Sequence, residues 1–163
     1  MTFDYIYVIA FVASLLTTLF ITPYVRKFAF KIGATDQPNA RKTHIKIMPR
    51  LGGLGIVIGV AVGLMILSPD IPELPYIILG GLVITVVGVL DDLYTIRPLV
   101  KLGGQIIAAG FVLYSGLVIE FITLPFIGTI EFGPLSFILT FVWIIGVTNA
   151  INLIDGLDGL AAG

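Results

Sequence analysis

Apolar residues occupy five long runs along the chain, separated by short polar stretches. Three of these runs contain 18 residues without a charge, and the other two contain 15 and 14. A helix needs about 20 apolar residues to cross a bilayer, with a range of about 17–25. The two shorter runs are marginal alone, and we expect their polar ends to lie at membrane depth inside a bundle, which gives five transmembrane helices. The predicted spans are residues 5–22, 51–68, 76–90, 102–119 and 135–149. The predicted fold class is an all-α integral membrane helix bundle.

Two smaller patterns refine this picture. Gly55, Gly59 and Gly63 recur every four residues in the second span, and such spacing lets helix backbones approach closely in lipid. Between the fourth and fifth spans, two short β-prone runs, Phe121–Leu124 and Thr129–Phe132, flank the turn at Pro125–Gly128. We therefore expect a helix-packing stripe without a catalytic role and a small external β-hairpin.

The composition excludes an ordinary soluble domain. Hydrophobic residues make up 58% of the 163 residues and charged residues 12%, with a mean hydropathy of +1.10, whereas soluble domains carry about 25% charged residues. The chain has no cysteine and one histidine, which excludes disulfide scaffolds and thiolate sites and argues against a His-rich metal site. The formal charge of −1 suggests no nucleic acid partner. We expect residues 1–163 to form a single membrane domain.

The basic residues predict the orientation. Seven of the nine lie between the first two spans, and the other two, Arg97 and Lys101, lie between the third and fourth. The positive-inside rule places loops 23–50 and 91–101 in the cytoplasm together with residues 150–163, and the N-terminus outside. Every conspicuous polar cluster then falls on the cytoplasmic side.

The first of these clusters is the acidic pair Asp91 and Asp92, where the third span ends. Adjacent carboxylates repel, and desolvation at a membrane boundary disfavours their ionised forms. A hard cation such as Mg²⁺ relieves both costs, and one carboxylate could meet the metal while the other meets a base or substrate. The alternative is a solvated helix terminus paired with Arg97 or Lys101.

The second cluster places Asn149, Asn152, Asp155 and Asp158 at every third position. In a helix, neighbours in this series share a face. A polar face at the end of a span is costly unless it binds something, and ionisable groups at membrane depth are functional candidates. A helix-capping motif is the alternative, but two amides and two carboxylates exceed what a cap needs.

The third cluster is a cation-rich loop. Arginine can hold phosphate in a bidentate fork, although such a loop can also fix topology by contacting anionic lipid. Together, this loop and the two acidic clusters indicate a Mg²⁺-assisted phosphoryl-transfer site. The loop's candidate binding residues are Arg41, Lys42, His44 and Lys46.

These motifs make the chain similar to a known family. It resembles the polyprenyl-phosphate N-acetylhexosamine-1-phosphate transferases, glycosyltransferases of family 4 that begin bacterial cell-wall and surface-polysaccharide assembly. The matching segments are the loop RKTHIKIMPRLGG at residues 41–53, the Asp91-Asp92 pair and the run TNAINLIDGLDGLA at residues 148–161. The form of the loop is closer to the UDP-GlcNAc branch, which starts teichoic acid and other glycopolymers, than to the MurNAc-pentapeptide branch of peptidoglycan synthesis.

The resemblance implies transfer of GlcNAc-1-phosphate from UDP-GlcNAc to undecaprenyl phosphate with Mg²⁺, in the bacterial plasma membrane and on its cytoplasmic face. It implies catalytic roles for Asp91, Asp92 and Asp155, with the first two also supporting the metal. It leaves open which carboxylate is the base. The residues that it implies for substrate binding are Arg41, Lys42, His44, Lys46, Asn149, Asn152 and Asp158.

The chain departs from the family pattern in one respect. Family members continue into further spans, a further Mg²⁺-binding aspartate and a His-rich cytoplasmic loop. We therefore expect this chain to be the N-terminal part of such an enzyme, inactive by itself and able to form a homodimer. The alternatives are the MurNAc-pentapeptide enzyme, a non-enzymatic membrane partner, or a small transporter with intramembrane carboxylates.

Overall fold

The computed structural model describes residues 5–36 and 48–155, and these residues form mainly α-helices. Two short antiparallel sheets pair β1 with β2 and β3 with β4. A 3₁₀ turn at Gly133–Leu135 precedes the last helix. The helices are α1 (Tyr5–Ile32), α2 (Gly52–Leu67), α3 (Leu74–Tyr94), α4 (Pro98–Tyr114) and α5 (Ser136–Asp155). The strands are β1 (Thr35–Asp36), β2 (Met48–Pro49), β3 (Phe121–Leu124) and β4 (Gly128–Glu131).

The five helices match the five predicted apolar runs, but their ends differ. Three segments within the described residues are long and apolar enough to cross a membrane: α1, α3 and Gly133–Asn152. Helices α2 and α4 are apolar but shorter. The helical, membrane-type fold is therefore confirmed, whereas five crossings and the orientation stay predictions.

Helix α1 continues ten residues beyond its predicted end at residue 22. It contains Pro23 and ends at Ile32, with Lys31 in its last turn. A cation there is favourable, because the C-terminal end of a helix carries partial negative charge. Helix α4 begins earlier than predicted, at Pro98. Proline is well suited to this first helical position, where its missing N–H would have no helical partner.

The chain divides into two compact units. The first contains the described parts of Met1–Asp70 together with Thr85–Ile96, and the second contains those of Ile71–Ile84 and Arg97–Gly163. Helix α3 contributes its beginning to the second unit and its end to the first. The core of the first unit gathers Val25, Ala29, Ala34 and Leu51.

The glycine stripe packs α2 against α1 in the first unit, as the spacing predicts. Gly55, Gly59 and Gly63 are buried. A Cβ atom on Gly59 would overlap the Thr18 hydroxyl and lie 2.9 Å from the Ser14 carbonyl oxygen. Only glycine permits this approach, which holds the middle of α2 against α1.

The hairpin of the second unit is also confirmed. Strand β3 pairs with β4 in the register Phe121↔Glu131, Ile122↔Ile130, Thr123↔Thr129 and Leu124↔Gly128. β3 has the predicted bounds, and β4 begins and ends one residue earlier than predicted. Its location outside the cell stays a prediction.

Candidate active site

The acidic pair lies in the last turn of α3. Asp91 and Asp92 are both half-buried, and Asp91 Oδ1 is shielded from solvent. Two carboxylates at the negative end of a helix are unfavourable unless positive charge or N–H donors lie nearby. The environment of the pair must therefore supply such groups.

One such donor comes from the start of α2. The backbone N–H of Leu51 donates a 2.9 Å hydrogen bond to Asp92 Oδ2. Leu51 is the N-cap residue of α2, buried, with a left-handed φ of 72°. A carboxylate at the N-terminus of a helix meets N–H groups and partial positive charge. Asp92 thus stabilises the start of α2, and its carboxylate is held rather than solvated.

Arg50 lies beside the same helix end. Its Nη1 donates to Thr95 Oγ1 over 3.4 Å, directly after α3. A guanidinium at this position complements the partial negative charge of the helix terminus. The last cation of the basic loop and the acidic pair therefore belong to one polar group at the end of α3.

The base of the basic loop is fixed by main-chain bonds. Strand β1 pairs with β2 so that Thr35 faces Pro49, and the Arg50 N–H donates to the Ala34 carbonyl over 2.9 Å. This closure was not predicted, since two-residue strands give no sequence pattern. The loop's candidate residues Arg41, Lys42, His44 and Lys46 lie outside the described residues.

The second unit carries the Asn/Asp series. Helix α5 continues to Asp155, which confirms helical stepping from Asn149 through Asn152 to Asp155. Asn149 and Asn152 are exposed. The side chain of Asp155 and the whole of Asp158 lie outside the described structure.

Gln105 of α4 makes a polar contact with α5, and this residue belongs to none of the motifs in the sequence. Its Nε2 donates to Asn149 Oδ1 at 3.3 Å, and Asn149 Nδ2 donates to Gln105 Oε1 at 2.7 Å. Asn149 Nδ2 also donates to the Ile145 carbonyl at 2.9 Å. Gln105 is only 8% exposed. The pair fixes the orientation of the Asn149 amide and joins α4 to α5.

A signal for Gln105 was present in the sequence. It is an uncharged polar residue within the apolar run at 102–119. A polar group at that depth costs free energy unless it is hydrogen-bonded. Gln105 belongs to no repeated or clustered polar pattern, which is why the motifs of the sequence do not include it.

The described residues can be tested for a fit to Mg²⁺. Among them, no group of three or more His, Cys, Asp or Glu side chains could hold a metal ion. Magnesium is commonly bound by one or two carboxylates together with substrate phosphates and water. The half-buried oxygens of Asp91 and Asp92 suit that mode of binding.

Comparison with known proteins indicates one family. The model of a family described as glycosyl transferase family 4 matches residues 74–163, more than half of the chain. A probable undecaprenyl-phosphate N-acetylglucosaminyl 1-phosphate transferase of Bacillus subtilis (strain 168) is 49% identical over 160 residues, covering 96% of this chain and 44% of that protein. No solved structure matches the chain.

Two further relatives are more distant. A decaprenyl-phosphate N-acetylglucosaminephosphotransferase of Mycolicibacterium smegmatis is 36% identical, over 90% of this chain and 39% of the relative. An undecaprenyl-phosphate alpha-N-acetylglucosaminyl 1-phosphate transferase of Escherichia coli (strain K12) is 35% identical, over 91% and 41% respectively. The chain spans less than half the length of these curated relatives.

Proposed function

Because the chain belongs to glycosyl transferase family 4, we propose that the protein transfers GlcNAc-1-phosphate from UDP-GlcNAc to undecaprenyl phosphate. The products are undecaprenyl-pyrophosphoryl-GlcNAc and UMP. The names of the three relatives specify an N-acetylglucosamine phosphate and, in two cases, undecaprenyl phosphate. They favour this reaction over the MurNAc-pentapeptide alternative. We assign the reaction to the start of teichoic acid or another surface glycopolymer.

One observation supports the proposal most strongly. The bond from the Leu51 N–H to Asp92 Oδ2 holds the end of a cation-rich loop against an acidic pair. Phosphoryl transfer needs these two kinds of group, since cations position the phosphates and carboxylates support a metal or activate the nucleophile.

The chemistry is a displacement at phosphorus. A phosphate oxygen of the lipid carrier bonds to the sugar-linked phosphorus of UDP-GlcNAc, and the bond from that phosphorus to the UMP oxygen breaks. In the first unit we assign activation of the lipid phosphate to Asp91 and Asp92, with Asp92 also holding Leu51. In the second unit we assign a catalytic role to Asp155.

Substrate binding is assigned to the remaining candidates. The cations of the basic loop neutralise the diphosphate, and the polar positions of α5 and the residues after it contact the sugar nucleotide. Asn149 is held by Gln105 and Ile145, so it presents its amide in one orientation. The residues are Arg41, Lys42, His44, Lys46, Asn149, Asn152 and Asp158.

We propose Mg²⁺ as the cofactor. Asp91 and Asp92 would hold it together with substrate phosphates. When bound, Mg²⁺ neutralises charge that develops on the phosphate oxygens. The active face would be cytoplasmic, at the bacterial plasma membrane, where UDP-GlcNAc is present.

The test is release of UMP by membranes that contain the protein expressed from its complete reading frame. We expect release that requires undecaprenyl phosphate, UDP-GlcNAc and Mg²⁺ together, and none when UDP-MurNAc-pentapeptide replaces UDP-GlcNAc. The exposed Asp70, beyond the far end of α2, supplies a control variant, Asp70→Asn, that should retain activity. UMP release with the pentapeptide donor alone would assign the protein to the other branch, and no release with either would favour the non-enzymatic partner.

A further inference from the structure

The hairpin of β3 and β4 is an amphipathic ribbon. In its register, Ile122 and Ile130 face each other and Leu124 follows on the same side. The opposite side carries Thr123 and Thr129, whose hydroxyls lie 3.1 Å apart, together with Phe121 and Glu131. Ile122 and Ile130 are both exposed. One broad side of the ribbon is therefore apolar, with both isoleucines exposed and Leu124 partly buried.

The tip of the ribbon is more apolar still. Phe126 is 108% exposed and Ile127 is 72% exposed. Phe126 has a φ of 74°, a left-handed conformation that favours glycine or asparagine and is costly for a bulky residue. An exposed aromatic side chain at a strained tip suggests that its position serves a purpose beyond closing the turn.

The ribbon begins beside a membrane-type helix. The Ile119 N–H donates a 2.8 Å bond to Thr140 Oγ1, which lies about one turn into α5. Ile119, two residues before β3, therefore lies level with the first turn of α5. In that turn Phe137 and Ile138 are exposed apolar residues, so the ribbon begins beside a helix end whose exposed side chains suit lipid.

We propose that this ribbon lies in the interface of the bilayer, with Phe126 and Ile127 among the lipid headgroups and the upper acyl chains. The edges of a two-stranded ribbon carry N–H and C=O groups that need water or headgroup partners, which excludes the hydrocarbon core. The interface suits the tip, because aromatic side chains favour it. It also suits the strand edges, because polar groups remain hydrated there. The hydroxyls of Thr123 and Thr129 then face water.

The ribbon's position can be measured by fluorescence, since Trp143 is the chain's one tryptophan. In a background in which Trp143 and every tryptophan outside residues 1–163 are replaced by phenylalanine, Phe126→Trp places the probe at the tip and Thr129→Trp places it on the polar side. The protein, expressed from its complete reading frame, is reconstituted in phosphatidylcholine and phosphatidylglycerol vesicles. Brominated phosphatidylcholines report lipid contact, and aqueous iodide reports contact with water.

We expect Phe126→Trp to emit at shorter wavelength than Thr129→Trp and to be quenched severalfold more by lipids brominated near the headgroup than by iodide. Thr129→Trp should show the reverse preference. Ile127→Trp repeats the tip measurement at a second exposed position. Strong iodide quenching at both tip positions would overturn the proposal. Protection from both quenchers would also overturn it, because protein would then cover the tip.

Discussion

The polar contact at the end of α3 and the polar contact between α4 and α5 are built from different chemistry. In the first, the carboxylate of Asp92 accepts the main-chain N–H of Leu51. In the second, the neutral amides of Gln105 and Asn149 bond to each other. The first contact depends on charge and on helix ends, whereas the second depends on side-chain length and orientation. Charge removal therefore probes the first, and a change of shape probes the second.

The largest effect is expected from removing charge at the end of α3. Asp91→Asn and Asp92→Asn should each lower the rate of UMP release by about 10²–10³, the usual cost of removing one electrostatic contribution to a transition state. Asp155→Asn in α5 should have a similar effect. The measurement is the initial rate in membranes with equal amounts of inserted protein.

The control for this prediction is Asp70→Asn, which removes an exposed carboxylate beyond the far end of α2. It should leave the rate close to that of the unsubstituted protein, because it removes no group assigned to the transition state. Turnover close to wild type in all three of the first variants would show that these carboxylates serve only the fold.

The next effect concerns the packing that holds α2 beside α1. Gly59→Leu would force a side chain against the Ser14 carbonyl and Thr18, and overpacking commonly costs about 1–3 kcal/mol. We expect a lower free energy of unfolding by denaturant titration in detergent. Gly88→Leu is the matched control, because a Cβ there meets nothing within 4 Å. Equal losses in both variants would contradict the packing account, because leucine has a higher helix propensity than glycine at both positions and only the close contact at Gly59 is expected to cost stability.

Comparing two variants at Asp92 separates its charge from its hydrogen bond. Asp92→Asn keeps an oxygen that can accept the Leu51 N–H, whereas Asp92→Ala removes the acceptor. Losing a capping acceptor costs about 0.5–2 kcal/mol, so Asp92→Ala should unfold more easily than Asp92→Asn by that amount. Identical free energies of unfolding would exclude a stabilising role for this bond.

The smallest effect is expected in the second unit. A double-mutant cycle with Gln105→Leu and Asn149→Leu should give a coupling of about 0.6 kcal/mol, with about 1.7 kcal/mol as an upper bound for hydrogen bonds between membrane helices. The readout is again the free energy of unfolding. If the changes in unfolding free energy of the two single variants add up to that of the double variant, the two amides act independently of each other.

The sequence predicts the helices better than their ends. Apolar runs identify all five helices of the described residues. A charged residue, however, marks where an apolar run ends and not where the helix ends. Helix α1 therefore passes through Arg26 and Lys27 to Ile32. The hairpin follows from its β-prone runs and turn residues.

The site was predictable in its residues and less so in its contacts. Asp91 and Asp92 are recognisable as adjacent carboxylates at the end of an apolar run. The bond from the Leu51 N–H to Asp92 was not predictable, because a main-chain donor 41 positions away leaves no side-chain pattern. Gln105 could have been found, since a single amide in an apolar run requires a partner.

The most direct measurement tests whether the acidic end of α3 faces the cytoplasm, where UDP-GlcNAc is present. Residues 1–163 contain no cysteine. Single cysteines can therefore be placed at Tyr94 and Pro72, near opposite ends of α3 and both exposed, once any cysteine elsewhere in the reading frame has been replaced by serine. In intact cells, a membrane-impermeant maleimide should label Pro72→Cys and should label Tyr94→Cys only after permeabilisation. Labelling of Tyr94→Cys from outside would contradict the proposed function, because it would separate Asp91 and Asp92 from the nucleotide sugar.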